Sequence, residues 1–186
     1  MKIKENMHVL LLKGGFGSER EVSLNSAKAC SKAIKDNGFI VTEVDIAKMN
    51  VNNLISLKAD VCFNALHGNS GENGSIQGLL NLLKIPYTHS GVAASAISMN
   101  KIYFKRLIVN TTESTDDPII FPKTLQIDEG KKLSIKNYKG LYVLKPKNGG
   151  SSVGVKIVKG QNTIPLKNEF KWKDLMAEEF VGSTEL

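Results

Sequence analysis

The sequence predicts an α/β chain in two parts: a parallel sheet with helices on both faces over residues 1–100, then a smaller α+β unit over 101–186. Three observations carry that prediction. Short apolar runs at 9–12, 39–44 and 60–66 alternate with helix-patterned stretches, as in strands joined by crossover helices. Glycine-rich loops follow the first and third of these runs. Beyond about residue 100 the apolar runs come closer together and the helical stretches become fewer.

The elements can be justified in order. Residues 9–12 form a continuous apolar run ending at Gly14-Gly15, which reads as a buried strand opening into a turn. Ala27, Cys30, Ala33 and Ile34 then recur at helical spacing over 23–37, with Ser23 as the expected N-cap and Asn37-Gly38 as the stop. Residues 39–44 are β-branched and alternating, and 60–66 form a third strand. Ile76, Leu79, Leu80 and Leu83 share one face of a helix over 75–83, and 86–88 reads as a short edge strand. A linking helix over 101–109 and a polar loop over 111–118 lead to strands at 123–127, 141–145, 153–158 and 175–180.

Composition removes several classes of function. The chain has 186 residues, enough for one large or two small domains, and its 41% apolar content is ordinary for a globular protein. No apolar run approaches the roughly 18–20 residues that span a bilayer, and residues 1–7 lack the apolar core of a secretion signal. Cys30 and Cys62 show no CxxC spacing and read as reduced thiols. The expectation is a cytoplasmic protein without membrane partners. The net charge of +7 is uneven: residues 1–100 carry 10 basic against 8 acidic side chains, and the rest carry 15 against 10. The lysines of the second half lack interleaved aromatics or a nucleic-acid motif, so a solvated face or a polyphosphate ligand is expected instead of nucleic acid.

Four stretches carry chemistry. In the first, residues 14–23, a strand runs into a glycine loop with Glu19-Arg20-Glu21 at the start of a helix, where free backbone N–H groups and a sheet's carboxyl edge favour ligands. The second, residues 66–75, places His67 at a strand's end among Gly68, Gly71 and Gly74, with Glu72 as a capping acid near the next helix. The third, residues 145–155, is a hairpin of Gly and Ser preceded by Lys145, suited to folding over phosphates although it is no Walker motif. The fourth is an acidic pair, Glu178-Glu179, on an apolar strand, suited to an adenine amine or a ribose hydroxyl. Each has a bland alternative: a solvated turn, a structural histidine, a flexible hairpin, a charged strand edge.

Together, in this order, the stretches GGFGSEREVSLNSA (14–27), ALHGNSGENGSIQGLL (65–80), PYTHSGVAASAISMNK (86–101), LKPKNGGSSVGV (144–155) and AEEFVGSTEL (177–186) resemble the D-alanine–D-alanine ligase family of the ATP-grasp superfamily. The resemblance covers nearly the whole chain from Met7. It implies a Rossmann-like N-terminal domain over 1–100 and a central ATP-grasp subdomain over 101–186. It also implies a bacterial cell-wall enzyme that makes D-alanyl-D-alanine for peptidoglycan through an acyl phosphate. Its partners would be D-alanine and ATP, its metal Mg2+ or Mn2+, and its assembly a homodimer through the N-terminal domain.

The residue roles come from the same resemblance. Glu19 would hold the first D-alanine's ammonium, His67 would sit at its carboxylate, and Ser23 would support the Glu19 loop. Glu19 and Ser151 would be catalytic, Ser151 by hydrogen-bonding within a Glu–Ser–Tyr network whose Tyr lies beyond Leu186. Lys101 and Lys145 would contact ATP phosphates beneath a flap containing Ser151 and Ser152. Glu178, Glu179 and Val181 would line the adenine pocket, and Glu185 would bind ribose.

The sequence departs from the family's pattern at Asn73 and Asn100, each replacing Asp, which is expected to touch helix capping more than chemistry. It departs again at Gly149, where Glu is frequent, at Glu179, where Lys is frequent, and at His89, where Gly is common. The resemblance implies that the family's metal ligands, oxyanion arginine and C-terminal ATP-grasp subdomain are not among these residues, so the chain is expected to have no metal site and no ligase turnover by itself. Two alternatives stay open: a non-catalytic protein that binds D-alanine or nucleotide, and a related ligase making D-alanyl-D-lactate. A dinucleotide-dependent dehydrogenase is excluded by the lack of a GxGxxG fingerprint.

Overall fold

A computed structural model of the chain describes residues 6–112, 114, 116–128, 134–135, 138–159 and 172–182. They divide into two compact units, Met1–Met99 and Asn100–Leu186.

The first unit is built on three parallel strands, β1 (His8–Lys13), β2 (Ile40–Asp45) and β3 (Val61–Asn64), in the order β2-β1-β3. Five helices accompany them: α1 (Arg20–Asp36), α2 (Val51–Ser56), α3 (Asn69–Glu72), α4 (Ser75–Leu82) and α5 (Val92–Met99). β1 is central and buried because its residues alternate between two apolar cores. Leu10 and Leu12 pack with Leu54, Cys62, Leu66, Ile76, Leu80 and Ile85, whereas Leu11 packs with Ala27 of α1 and Ala65. Strands buried on both faces need a continuous apolar run, as residues 9–12 supply. The chain leaves β1 for β2 on one side, then crosses to β3 on the other. The carboxyl ends of β1 and β3 therefore flank a topological switch point, where open α/β sheets place their ligands.

Helix α1 begins at Arg20, not at the expected Ser23, and Glu19 occupies the N-cap position. Ser23 is instead fully buried inside the first turn, where its hydroxyl bridges two loops. The expected capping role of Glu72 also falls elsewhere: the Asn73 side chain accepts the Ser75 N–H at the start of α4, and Glu72 ends α3. Asn100 similarly accepts the N–H groups of Ile102 and Tyr103. An amide oxygen caps as an acid does, so both Asp-to-Asn departures retain that function. The helices α2 and α5 escaped the sequence reading because α2 is short and α5 is a run of small residues with little apolar periodicity.

The second unit begins with α6 (Lys101–Thr112) and continues through β4 (Thr124–Leu125), β5 (Ile127–Asp128), β6 (Ser134–Ile135), β7 (Leu141–Pro146), β8 (Lys156–Lys159) and β9 (Leu175–Glu179). Strands β4, β9, β7 and β8 form an antiparallel sheet in that order, and β5 pairs with β6. The strand expected at 123–127 is thus divided at Gln126 between two sheets. Tyr142, Leu144, Val158, Leu175 and Ala177 form the core face. Val143, Lys145, Met176 and Glu178 fall on the opposite face by the two-residue period of a strand.

Candidate functional site

In the first unit, the loops after β1 and β3 meet. Gly68 has φ +71°, and a Cβ there would lie 2.3 Å from Glu19 Oε2, so the glycine lets the carboxylate rest against the second loop's backbone. Ser23 Oγ accepts the Gly14 N–H at 2.9 Å and donates to the Ala65 carbonyl at 2.7 Å, joining the ends of β1 and β3. Ser26, one helical turn further on, pairs with His67 Nε2 at 3.1 Å. On the ring's other side, His67 Nδ1 lies 4.0 Å from Glu72 Oε1. Glu19, Ser23 and His67 are therefore brought together at the switch point.

Arg20 fixes the glycine loop. Its guanidinium engages both Asp45 oxygens, at 2.9 and 2.5 Å, and donates to the Gly15 carbonyl at 3.1 Å. The fork geometry suits a carboxylate. The Arg20 hydrogen bonds outweigh the cost of burial and hold Asp45 down at about 2. Gly14 has φ +78°, and a Cβ there would clash with Asp45 Oδ1 at 2.3 Å.

In the second unit, Lys101 Nζ donates to the Gly149 carbonyl at 2.6 Å, and its backbone N–H to the Lys147 carbonyl at 2.9 Å. The start of α6 is thereby tied to the β7–β8 hairpin. Burial, aided by the nearby Lys145 charge, pulls Lys101 below the usual lysine range. Lys145 pairs with Glu178 at 2.5 Å, and Lys105 pairs with the same carboxylate at 2.9 Å. Burial raises the affinity of Glu178 for a proton, but the two lysines together outweigh it and keep its pKa below the ordinary value. Glu178 is 5% exposed and meets lysines on both oxygens, whereas Glu179 is half-buried and Val181 is exposed. Glu185 lies outside the described residues.

The hairpin itself is a turn, not the strand expected from residue 153. Gly149, Ser151, Ser152 and Gly154 all have positive φ, at 96°, 52°, 56° and 77°. Two consecutive non-glycine residues in the left-handed region cost of order 1–3 kcal/mol each, an expense usually found at ligand-contacting loops. The resulting loop is exposed at Ser151 and Ser152.

A family model described as "D-ala D-ala ligase N-terminus" matches residues 51–90. The chain is 44% identical to D-alanine--D-alanine ligase B of Mesorhizobium japonicum, over 98% of this chain and 59% of that protein. It is 41% identical to the D-alanine--D-alanine ligase of Parvibaculum lavamentivorans, over 96% and 58%. Its fold matches the crystal structure of the Bacillus anthracis D-alanine--D-alanine ligase complexed with ATP with a TM-score of 0.72 and 25% identity, over 95% of this chain and 59% of that one. The chain matches these ligases over almost its whole length. It spans about three-fifths of the length of the relatives it matches.

Three side chains that make these contacts lay outside the sequence reading. Ser26 is a serine on a helix face like any other until the fold brings His67 to it. Arg20 reads in the sequence only as part of a charged turn, because its partner Asp45 lies at the end of β2. Lys105 carried a weak signal, since it follows Lys101 by four residues on one helix. Among the described residues, no helix is long and apolar enough to cross a membrane.

Proposed function

We propose that these residues form the D-alanine-binding loops and the ATP phosphate-binding face of an ATP-dependent D-alanine–D-alanine ligase. The observation that carries this reading is the meeting of Glu19 with Gly68, of Ser23 with Ala65 and of Ser26 with His67 at the switch point of a parallel sheet. A carboxylate and an imidazole on adjacent loops suit the ammonium and carboxylate of one amino acid. In this reading Glu19 receives the ammonium of the first D-alanine and His67 faces its carboxylate.

Lys101 and Lys145 neutralise the triphosphate, and backbone N–H groups and hydroxyls of the Ser151-Ser152 turn close over it. Ser151 is also assigned to the catalytic hydrogen-bond network. Phosphoryl transfer needs positioning and charge neutralisation more than covalent help, which matches lysines and a glycine-rich turn. Glu178, Glu179 and Val181 line the adenine pocket, and Glu185 meets the ribose. Among the described residues, no three His, Cys, Asp or Glu side chains gather as a metal-binding group. The 186 residues by themselves are assigned binding without turnover, in a cytoplasmic dimer formed through the first unit.

Calorimetry and amide NMR with D-alanine, and separately with ATP, test this. D-Alanine is expected to shift the amides of Glu19, Gly68 and His67. Glu19→Gln is expected to weaken D-alanine about 10- to 100-fold, the worth of one charge-assisted hydrogen bond, and to leave ATP unchanged. A Glu19→Gln variant that binds D-alanine as the parent does would refute the assignment. Phosphate release at a ligase's rate would overturn binding without turnover, and a monomer at all concentrations in sedimentation would remove the dimer.

A further inference from the structure

Lys105 lies at i+4 from Lys101 on α6, so both ammonium groups project from the same helix face. Its Nζ donates to Glu178 Oε1 at 2.9 Å, to Thr124 Oγ1 at 2.9 Å and to the Pro122 carbonyl. It also stands 5.9 Å from the centroid of the Phe121 ring. Three acceptors match the three donors of an ammonium group, so Lys105 is saturated by protein groups. Lys145 reaches the other carboxylate oxygen, Oε2, across the β7–β9 pair.

Two lysines on one buried carboxylate exceed what structure alone requires. A single paired and hydrogen-bonded cation compensates a buried carboxylate, and a second adds desolvation cost of its own. With Lys101 included, three cations face one anion. Since Lys105 is saturated by protein groups, the charge that a polyphosphate would neutralise is that of Lys101 and Lys145. The two partners of Glu178 also differ. Lys105 is fastened to β4, to the segment before it and to β9, whereas Lys145 meets Glu178 from the end of a strand that leads into the hairpin.

We propose that Lys105 is a positioning residue of the nucleotide site, which keeps hold of Glu178 Oε1 while Lys145 turns from Oε2 to the phosphates, leaving Oε2 to accept the exocyclic amine of adenine. The inference rests on the nucleotide reading given above. It couples the two ends of the ligand: phosphate binding releases the acceptor that reads the base, and Lys105 prevents that carboxylate from collapsing or drifting once Lys145 departs. The consequence is selective. Loss of Lys105 removes base recognition and spares phosphate binding.

The test uses the 186-residue chain, with ATP, GTP and inorganic tripolyphosphate as probes and calorimetry as the readout. Lys105→Met is expected to weaken ATP about 10-fold, to bring the ATP/GTP affinity ratio towards one and to leave tripolyphosphate within about two-fold. Lys105→Arg is expected to restore part of the ATP affinity. Without ligand, the Glu178 carboxyl carbon, followed by NMR, is expected to titrate at higher pH in Lys105→Met than in the parent. If Lys105→Met does not fold, Lys105→Gln, which keeps hydrogen bonding without the charge, is read in the same way. Equal losses for ATP and tripolyphosphate, or an unmoved Glu178 titration, would overturn the proposal. A parent chain that binds ATP beside an indifferent Lys105→Met sinks this inference alone. A parent chain that does not bind ATP sinks the nucleotide reading and this inference with it.

Discussion

Replacing Ser23 by alanine is expected to destabilise the first unit by about 2–4 kcal/mol, although only one oxygen is lost. Ser23 is fully buried, and its hydroxyl satisfies two backbone groups at once: it accepts from Gly14 N–H at 2.9 Å and donates to the Ala65 carbonyl at 2.7 Å. Without it, a buried donor and a buried acceptor each lose a partner, at about 1–3 kcal/mol apiece, and relaxation of the loops recovers part of that. The loss is a sizeable share of the ~5–15 kcal/mol that holds a domain folded. Since the chain has two units, a single unfolding transition would mix them. Native-state hydrogen exchange is the suitable assay, read at the buried strand amides of Leu11 and Leu12 and at Ala65, whose N–H bonds the Leu12 carbonyl. Ser26→Ala, which loses one half-buried contact to His67, serves as the control and is expected to cost under about 1 kcal/mol. A Ser23→Ala loss below about 0.5 kcal/mol, or one equal to that of Ser26→Ala, would refute the claim that this hydroxyl ties the two loops together.

Acid should loosen the first unit in a defined window. Arg20 holds Asp45 at about 2 against an ordinary 3.8, and Lys13 with Ser31 holds Glu43 at about 2 against 4.5. Both carboxylates are depressed in the folded state, so their stabilisation is present above their unfolded values and is lost as pH falls from about 4.5 towards about 2. Circular dichroism against pH checks this, and Asp45→Asn should flatten the lower part of the curve. Gly68→Ala should displace the Glu19 carboxylate and force a positive φ on alanine. D-alanine affinity should then fall at least 10-fold, with about 1–3 kcal/mol of stability lost; unchanged calorimetric affinity would contradict the contact. Burial pushes the Cys62 thiol up to about 12, whereas Cys30 is half-buried, so a thiol reagent at neutral pH should label Cys30 well before Cys62 in the folded chain. Leu141, Val153, Val155 and Ile157 are all at least 40% exposed around β7 and β8, and light scattering is expected to show self-association at high concentration, which a strictly monomeric species would contradict.

The α/β alternation was legible because strands and helices are written in local apolar periods, which do not depend on distant partners. The run at 9–12 reads as a strand buried on both faces, and β1 is one, with Leu10 and Leu12 in one core and Leu11 in another. The glycine loops were legible because positive φ and close approach restrict residue choice, as at Gly14 and Gly68. The boundaries were less so. Ser23 satisfies the composition rule for an N-cap, yet tertiary demand for a donor and acceptor between β1 and β3 placed it within the helix. The strand expected from 153 starts at Lys156, since Ser151 and Ser152 adopt a turn that no local propensity favours.

By itself, then, the sequence determined the parallel order of elements and the glycine loops. Only the tertiary structure decided which of these side chains meet: Glu19 at Gly68, Ser26 at His67, Arg20 at Asp45, and Lys105 with Lys145 on one carboxylate. Local patterns fix backbone conformation over a few residues. The partner of a buried charge or hydroxyl is chosen by whichever distant segment packs beside it, and no local period records that choice.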